Sequence, residues 1–144
     1  MISREAKSIK GFMNTLLLSD IFDVFLVSDA VIKKDYQMSL DGNSVPYGKI
    51  RPLLFAHIKG EQVPKLFRLT LYKPAETDLL NKLGFDQNMT RISAFVLRLD
   101  YDGERARVVT GVSYSAFSME KDLEKAWDKQ ALNFMEENGI ELKD

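Results

Sequence analysis

Arg98, Arg105 and Arg107 gather around Asp100 within one ten-residue stretch of the chain. A guanidinium is planar, permanently charged and carries five donors in a fork that fits a phosphate or carboxylate. The chemistry such a set could do is to hold an anion or a nucleic-acid backbone, helped by Lys33, Lys34 and Arg68. The plainer reading is a solvated charged face.

Other chemistries lack their residues. Cysteine is absent, which removes thiolate nucleophiles, disulfides and zinc–thiolate sites. The one histidine, His57, lies in the apolar run Pro-Leu-Leu-Phe-Ala-His-Ile-Lys and reads as a packed side chain. A serine or threonine nucleophile would need a base of that type, and no Gly-x-Ser-x-Gly elbow exists. Asp100-x-Asp102-Gly103-Glu104 has its glycine too early for a calcium loop and no twelfth-position glutamate. No metal site and no cofactor is expected. The stretch from Gly42 to Ile50 misses a phosphate loop in spacing, and Ile50 stands where a hydroxyl is needed. Arg91 to Arg98 matches an RNA-recognition octamer only at Arg91, Ala94, Phe95 and Val96, with Ser93 in place of a stacking aromatic.

The elements that carry the arginines are two strands around Asp102-Gly103, a pair suited to a two-residue type I′ turn. That turn sets Leu99 against Ala106, Leu97 against Val108 and Phe95 against Thr110. On the other face it sets Asp100 against Arg105 and Arg98 against Arg107. A one-residue slip would put Leu97 opposite Arg107, so the unslipped ladder is preferred. Arg98 facing Arg107 is a local repulsion unless an anion sits between them. Ile92, Ala94, Val96 and Val109 make the charged face apolar further from the turn, so a helix is expected to cover that end.

The remaining chain reads as alternating helices and strands. Ser3 caps a first helix with an Ala6, Ile9, Met13, Leu16 and Leu17 stripe. Strands follow over 25–33 and 36–40. Residues 50–59 favour a helix, with Pro52 in its first turn and Gly60 as its stop; a strand into a Gly60-Glu61 hairpin is the alternative. A strand over 65–72 precedes a helix over 74–83. Ser118 caps a last helix whose inward stripe is Met119, Leu123, Ala126, Trp127, Gln130, Ala131 and Phe134, with Ile140 folding back on Met135. The order α-β-β-α-β-α-β-β-α makes this an α+β fold, a mainly antiparallel sheet of about five strands with helices packed on it.

With 144 residues, 45% hydrophobic and 28% charged, residues 1–144 suit a single α+β domain with a proper core. The formal net charge of −1 hides an asymmetry: residues 33–73 hold eight Lys or Arg against three acids, while 119–144 hold eight acids against four lysines. No apolar run approaches the ~18 residues of a membrane span. The opening Met-Ile-Ser-Arg-Glu lacks a signal peptide's apolar core, so the expected address is cytoplasmic.

Ser19-Asp-Ile-Phe-Asp-Val-Phe-Leu26, Ile50 to Gly60 and Pro64-Lys-Leu-Phe-Arg-Leu69 resemble an uncharacterised family of small bacterial single-domain proteins. The resemblance spans most of the chain and implies no activity. The expectation is therefore a small, non-enzymatic binding protein whose partner is another protein or a second copy. Anion or nucleic-acid binding through Arg98, Arg105 and Arg107 is the alternative. An enzyme built from carboxylates with Tyr or Lys is the third reading.

Overall fold

A computed structural model describes residues 1–33, 37–40, 45–58, 65–85, 90–115 and 120–144, with only the backbone of 37–40. Lys34, Tyr36, Gly60, Ser118 and Met119, and the side chains of Met38 and Leu40, lie outside the described residues.

The elements run β1 (Ser3–Glu5), α1 (Ile9–Leu18), a 3-10 turn (Ile21–Val24), β2 (Leu26–Lys33), β3 (Gln37–Leu40), β4 (Val45–Pro46), α2 (Tyr47–Ile58), β5 (Leu66–Pro74), α3 (Thr77–Leu83), β6 (Ile92–Tyr101), β7 (Ala106–Tyr114) and α4 (Lys121–Glu137). Six strands lie in the order β1-β7-β6-β5-β2-β3, and the two-residue β4 also pairs with β2. Every described pairing is antiparallel. The α+β expectation holds, with more strands than the five read from the pattern.

The first correction is at the N-terminus. Ser3 opens a strand rather than capping a helix, because β7 would otherwise present an unpaired edge there. Glu5 pairs with Arg107, and Ala6 bridges to Leu142. The helix starts later, where the Ser8 side chain accepts the Gly11 N–H at 3.0 Å. Its buried residues are Phe12, Leu16 and Leu17; Ile9 faces solvent.

The second correction is the hairpin register. Leu99 pairs with Val108, Leu97 with Thr110 and Phe95 with Val112, two residues away from the expected ladder. Four residues, Asp102 to Arg105, connect the strands, and the Asp102 N–H donates to the Arg105 carbonyl at 3.2 Å, so the turn centres on Gly103 and Glu104 and not on Asp102 and Gly103. The Asp102 carboxylate explains it: its Oδ1 accepts the N–H of Glu104 at 2.9 Å and of Arg105 at 2.8 Å. This local turn competes with continued ladder pairing. Gly103 supplies the positive φ, 96°.

Residues 50–58 are helical as favoured, but the helix starts at Tyr47, so Pro52 sits inside it and not in its first turn. Tyr47, Ile50, Leu54 and Ile58 are its buried residues, and Leu53 and Phe55 point outward. In α4 the buried stripe is Leu123, Trp127, Asp128, Ala131 and Met135, while Gln130 is exposed, contrary to its expected inward place. The stop is as read: Gly139 has φ 83°, and the Ile140 N–H donates to the Met135 carbonyl at 2.9 Å.

Phe67, Leu69 and Leu71 of β5, Phe95, Leu97 and Leu99 of β6, and Ala106, Val108 and Thr110 of β7 lie on one face and are buried. The buried apolar residues of all four helices join the same cluster. Trp127 is 2% exposed; its ring lies 5.2 Å from Phe95, and its Nε1 donates to the Val96 carbonyl at 3.0 Å. Trp127→Ala is expected to cost about 3–5 kcal/mol in chemical denaturation. A loss under about 1 kcal/mol would contradict this packing.

The first turn of α2 is held by close approach. Asp23 pairs with Arg51, and a Cβ on Gly48 would stand 2.7 Å from Asp23 Oδ2. A helical Gly→Ala change normally gains about 1 kcal/mol. Here Gly48→Ala is expected to lose about 1–3 kcal/mol by overpacking, measured by thermal melting. A gain would show that Asp23 swings aside freely.

Candidate functional site

Among the described residues, the helices pack on one face of the sheet and not on the second. Bulges make this face selective. In β2 the register shifts between Val27 and Asp29, so Val27 and Ala30 both face the core. In β6 it shifts between Ile92 and Ala94, which turns Ile92 inward beside Phe95. Ile92 was expected on the outer face with Ala94, Val96 and Val109, under a helix. Ala94, Val96 and Val109 remain outside and half-exposed, and they are not part of the core cluster. The helices lie on the opposite side, because the core face alone is continuously apolar.

The outer face is organised in rows across the strands. Leu26, Tyr72, Val96 and Gly111 form an apolar row. Asp29, Thr70, Arg98, Val109 and Ser3 form the next. Val31, Arg68, Asp100, Arg107 and Glu5 form the third, nearest the turn.

The shifted register redistributes the arginines. Arg98 stands opposite Val109, so the expected Arg98–Arg107 repulsion is not a direct cross-strand pair. Asp100 stands between Arg68 and Arg107 in its row. Its two oxygens accept from Arg68 Nε at 3.2 Å and Arg98 Nε at 3.0 Å. Arg107 approaches Asp102 at 3.8 Å, and Arg105 approaches Glu5 at 4.0 Å. Glu5 has a nearer partner in Lys143 at 3.1 Å. The N–H groups of Glu104 and Arg105, and then the charges of Arg107 and Arg105, hold the Asp102 carboxyl below its usual pKa.

The three arginines singled out by sequence thus divide. Arg105 and Arg107 line a small notch with Arg68, Asp100 and Asp102, beside Phe67 and Tyr101. Arg98 braces Asp100 from the neighbouring row. Arg68, ranked only as a helper, belongs to the notch itself. Lys33 pairs with Leu66 at the end of the sheet.

Polar groups elsewhere do structural work. His57 lies half-buried in the last turn of α2. The Tyr47 hydroxyl donates to the Leu16 carbonyl at 2.7 Å inside the core, and burial raises its pKa. Asp128 is buried against Thr110, whose hydroxyl donates to Asp128 Oδ1. Sequence reasoning missed this pair, although Thr110 on an apolar strand face was a signal that a polar partner was needed. Lys73 sits 4.8 Å over the Phe25 ring, and burial, then Lys82, lowers its pKa. Among the described residues, no group of His, Cys, Asp and Glu could hold a metal ion. No helix among the described residues is long and apolar enough to cross a membrane.

Asp100→Asn keeps the side chain's size and leaves Arg68, Arg98 and Arg107 with one less counter-charge. The expected loss is about 1 kcal/mol at low ionic strength, shrinking as salt screens the arginines. Urea titrations at two salt concentrations read both. A loss that does not change with salt would remove the electrostatic account.

No curated protein and no solved structure matches this chain. Residues 43–143 match the model of a family described as "Family of unknown function (DUF5721)", a span that runs from before α2 through α4 and includes the hairpin and all three arginines. The chain belongs to this family of unknown function.

Proposed function

We propose that this protein acts by binding, as a self-associating interaction protein, and that two copies meet through the sheet face opposite the helices. The observation that carries the reading is the row Leu26, Tyr72, Val96 and Gly111, an apolar strip crossing four adjacent strands outside the core. A sheet with an apolar outer strip is covered stably by another layer, and a second sheet packing about 10 Å away is one such solution.

A second copy is the occupant that the charges favour. In a two-fold arrangement each patch meets itself. An axis along the apolar row sets apolar on apolar. It sends the two turn ends in opposite directions, so the arginine rows do not face each other. The row each copy would meet beyond the axis is Pro74, Ala94 and Ser113, which carries no charge. Gly111 keeps the β7 end of the strip low: a Cβ there would only touch Val96 at 4.0 Å, so the glycine leaves room for an approaching side chain.

Sedimentation across a range of protein concentrations tests this. The wild type is expected to show a concentration-dependent dimer. Val96→Lys, a change on a half-exposed position, is expected to be monomeric with its melting temperature nearly unchanged. A wild type that stays monomeric at high concentration would end the reading and leave the face to a different partner.

A further inference from the structure

We propose that the notch at the turn end of the open face binds one small oxyanion, a phosphate or a phosphate monoester, through Arg68, Arg105 and Arg107. Nothing in the self-association reading requires this site, which lies two rows from the apolar strip.

Size sets the ligand class. The notch has a volume of about 70 Å³. That is far below the ~300 Å³ at which sites for organic ligands begin. It exceeds the ~10–15 Å³ that one water requires. One tetrahedral oxyanion is an object of the right scale; a nucleoside or a peptide side chain with its backbone is not.

Charge sets the sign. The notch is lined by three cations, Arg68, Arg105 and Arg107, against two carboxylates, Asp100 and Asp102. The carboxylates are also engaged elsewhere. Asp100 is divided between Arg68 and Arg98, Glu5 is held by Lys143, and Asp102 Oδ1 closes the turn. The contacts left to Arg105 and Arg107, at 4.0 and 3.8 Å, are too long to be hydrogen bonds. Their donors are thus unsaturated by these acids. Among the described residues, Arg68 donates to Asp100 through its Nε and not through its two terminal nitrogens.

Placement brings the donors together. Arg68 and Arg107 flank Asp100 in one row, two inter-strand spacings or about 10 Å apart at the backbone. Arg105 approaches from the turn. An oxyanion held at the turn end of that row would receive charge-assisted hydrogen bonds from β5, β7 and the turn, with the register fixed by the Asp102 turn.

Two-dimensional NMR titration with inorganic phosphate and with phenyl phosphate, at constant ionic strength set by sodium chloride, tests the site. The amides from Tyr101 to Arg107 are expected to shift and saturate. The double variant Arg105→Gln with Arg107→Gln is expected to bind about tenfold more weakly or less. Asp102→Asn keeps the Oδ1 acceptor of the turn but removes the carboxylate that competes for Arg107, and is expected to bind several-fold tighter. Tighter binding of phenyl phosphate would identify an ester on a larger molecule as the source; equal binding would identify the free ion. Shifts that do not saturate, that chloride reproduces, or that survive in the double variant would overturn the site, as would an Asp102→Asn protein that binds no tighter. The same titration on monomeric Val96→Lys separates this outcome from that of self-association, and the melting temperature of each variant confirms its fold.

Discussion

One face of this sheet must stay apolar along every strand, although side chains alternate strictly with a period of two. The chain meets that demand with two extra residues. Without the bulge in β2, Val27 and Ala30 would point to opposite faces. Without the bulge in β6, Ile92 and Phe95 would do the same. Each bulge keeps a large apolar side chain under the helices and leaves a serine, Ser28 or Ser93, exposed. The outer face then carries threonine, arginine and aspartate beside the strip of Leu26, Tyr72 and Val96.

The helices are oriented against that core by polar contacts as well as by packing. Trp127 ties α4 to a β6 carbonyl, Asp128 ties the next position of α4 to Thr110 of β7, and the Tyr47 hydroxyl ties α2 to the end of α1. Apolar packing tolerates many arrangements of similar volume. A buried donor without its acceptor costs about 1–3 kcal/mol, so each of these contacts disfavours a rotated helix. Among the described residues, no buried side-chain nitrogen or oxygen lacks a partner.

Much of this was legible in the sequence where periodicity alone decides. The faces of β7 and of β6 from Ala94 onward, the helix over 50–58, the short α3 and the Gly139 stop all follow from spacing and turn residues; Ile92, beyond the β6 bulge, does not. The hairpin register does not, because a shift of two leaves every residue on its face and so leaves the alternation unchanged. Hydrogen bonding by the Asp102 side chain selects between the two ladders, and that is a property of one carboxylate in three dimensions. The strand at Ser3–Glu5 was missed for a related reason. Three residues are too few for a pattern, and their conformation is imposed by the edge of β7, more than a hundred residues away. Helical spacing alone points Gln130 inward, whereas α4 turns Asp128 toward the sheet instead.

The candidate site inherits that uncertainty of register and its resolution. In a two-residue turn, Arg98 would confront Arg107, and Asp100 would be spent on Arg105. In the four-residue turn, Asp100 falls between Arg68 and Arg107, and Arg98 reaches it from the next row. The carboxylate that the sequence assigns to one strand partner becomes the centre of a cross-strand network, which frees Arg105 at the turn. A charge cluster in a hairpin is therefore not defined by its composition. The same arginines and aspartates would form a repulsive solvated face in one register and a braced notch in the other, and one acceptor atom, Asp102 Oδ1, distinguishes them.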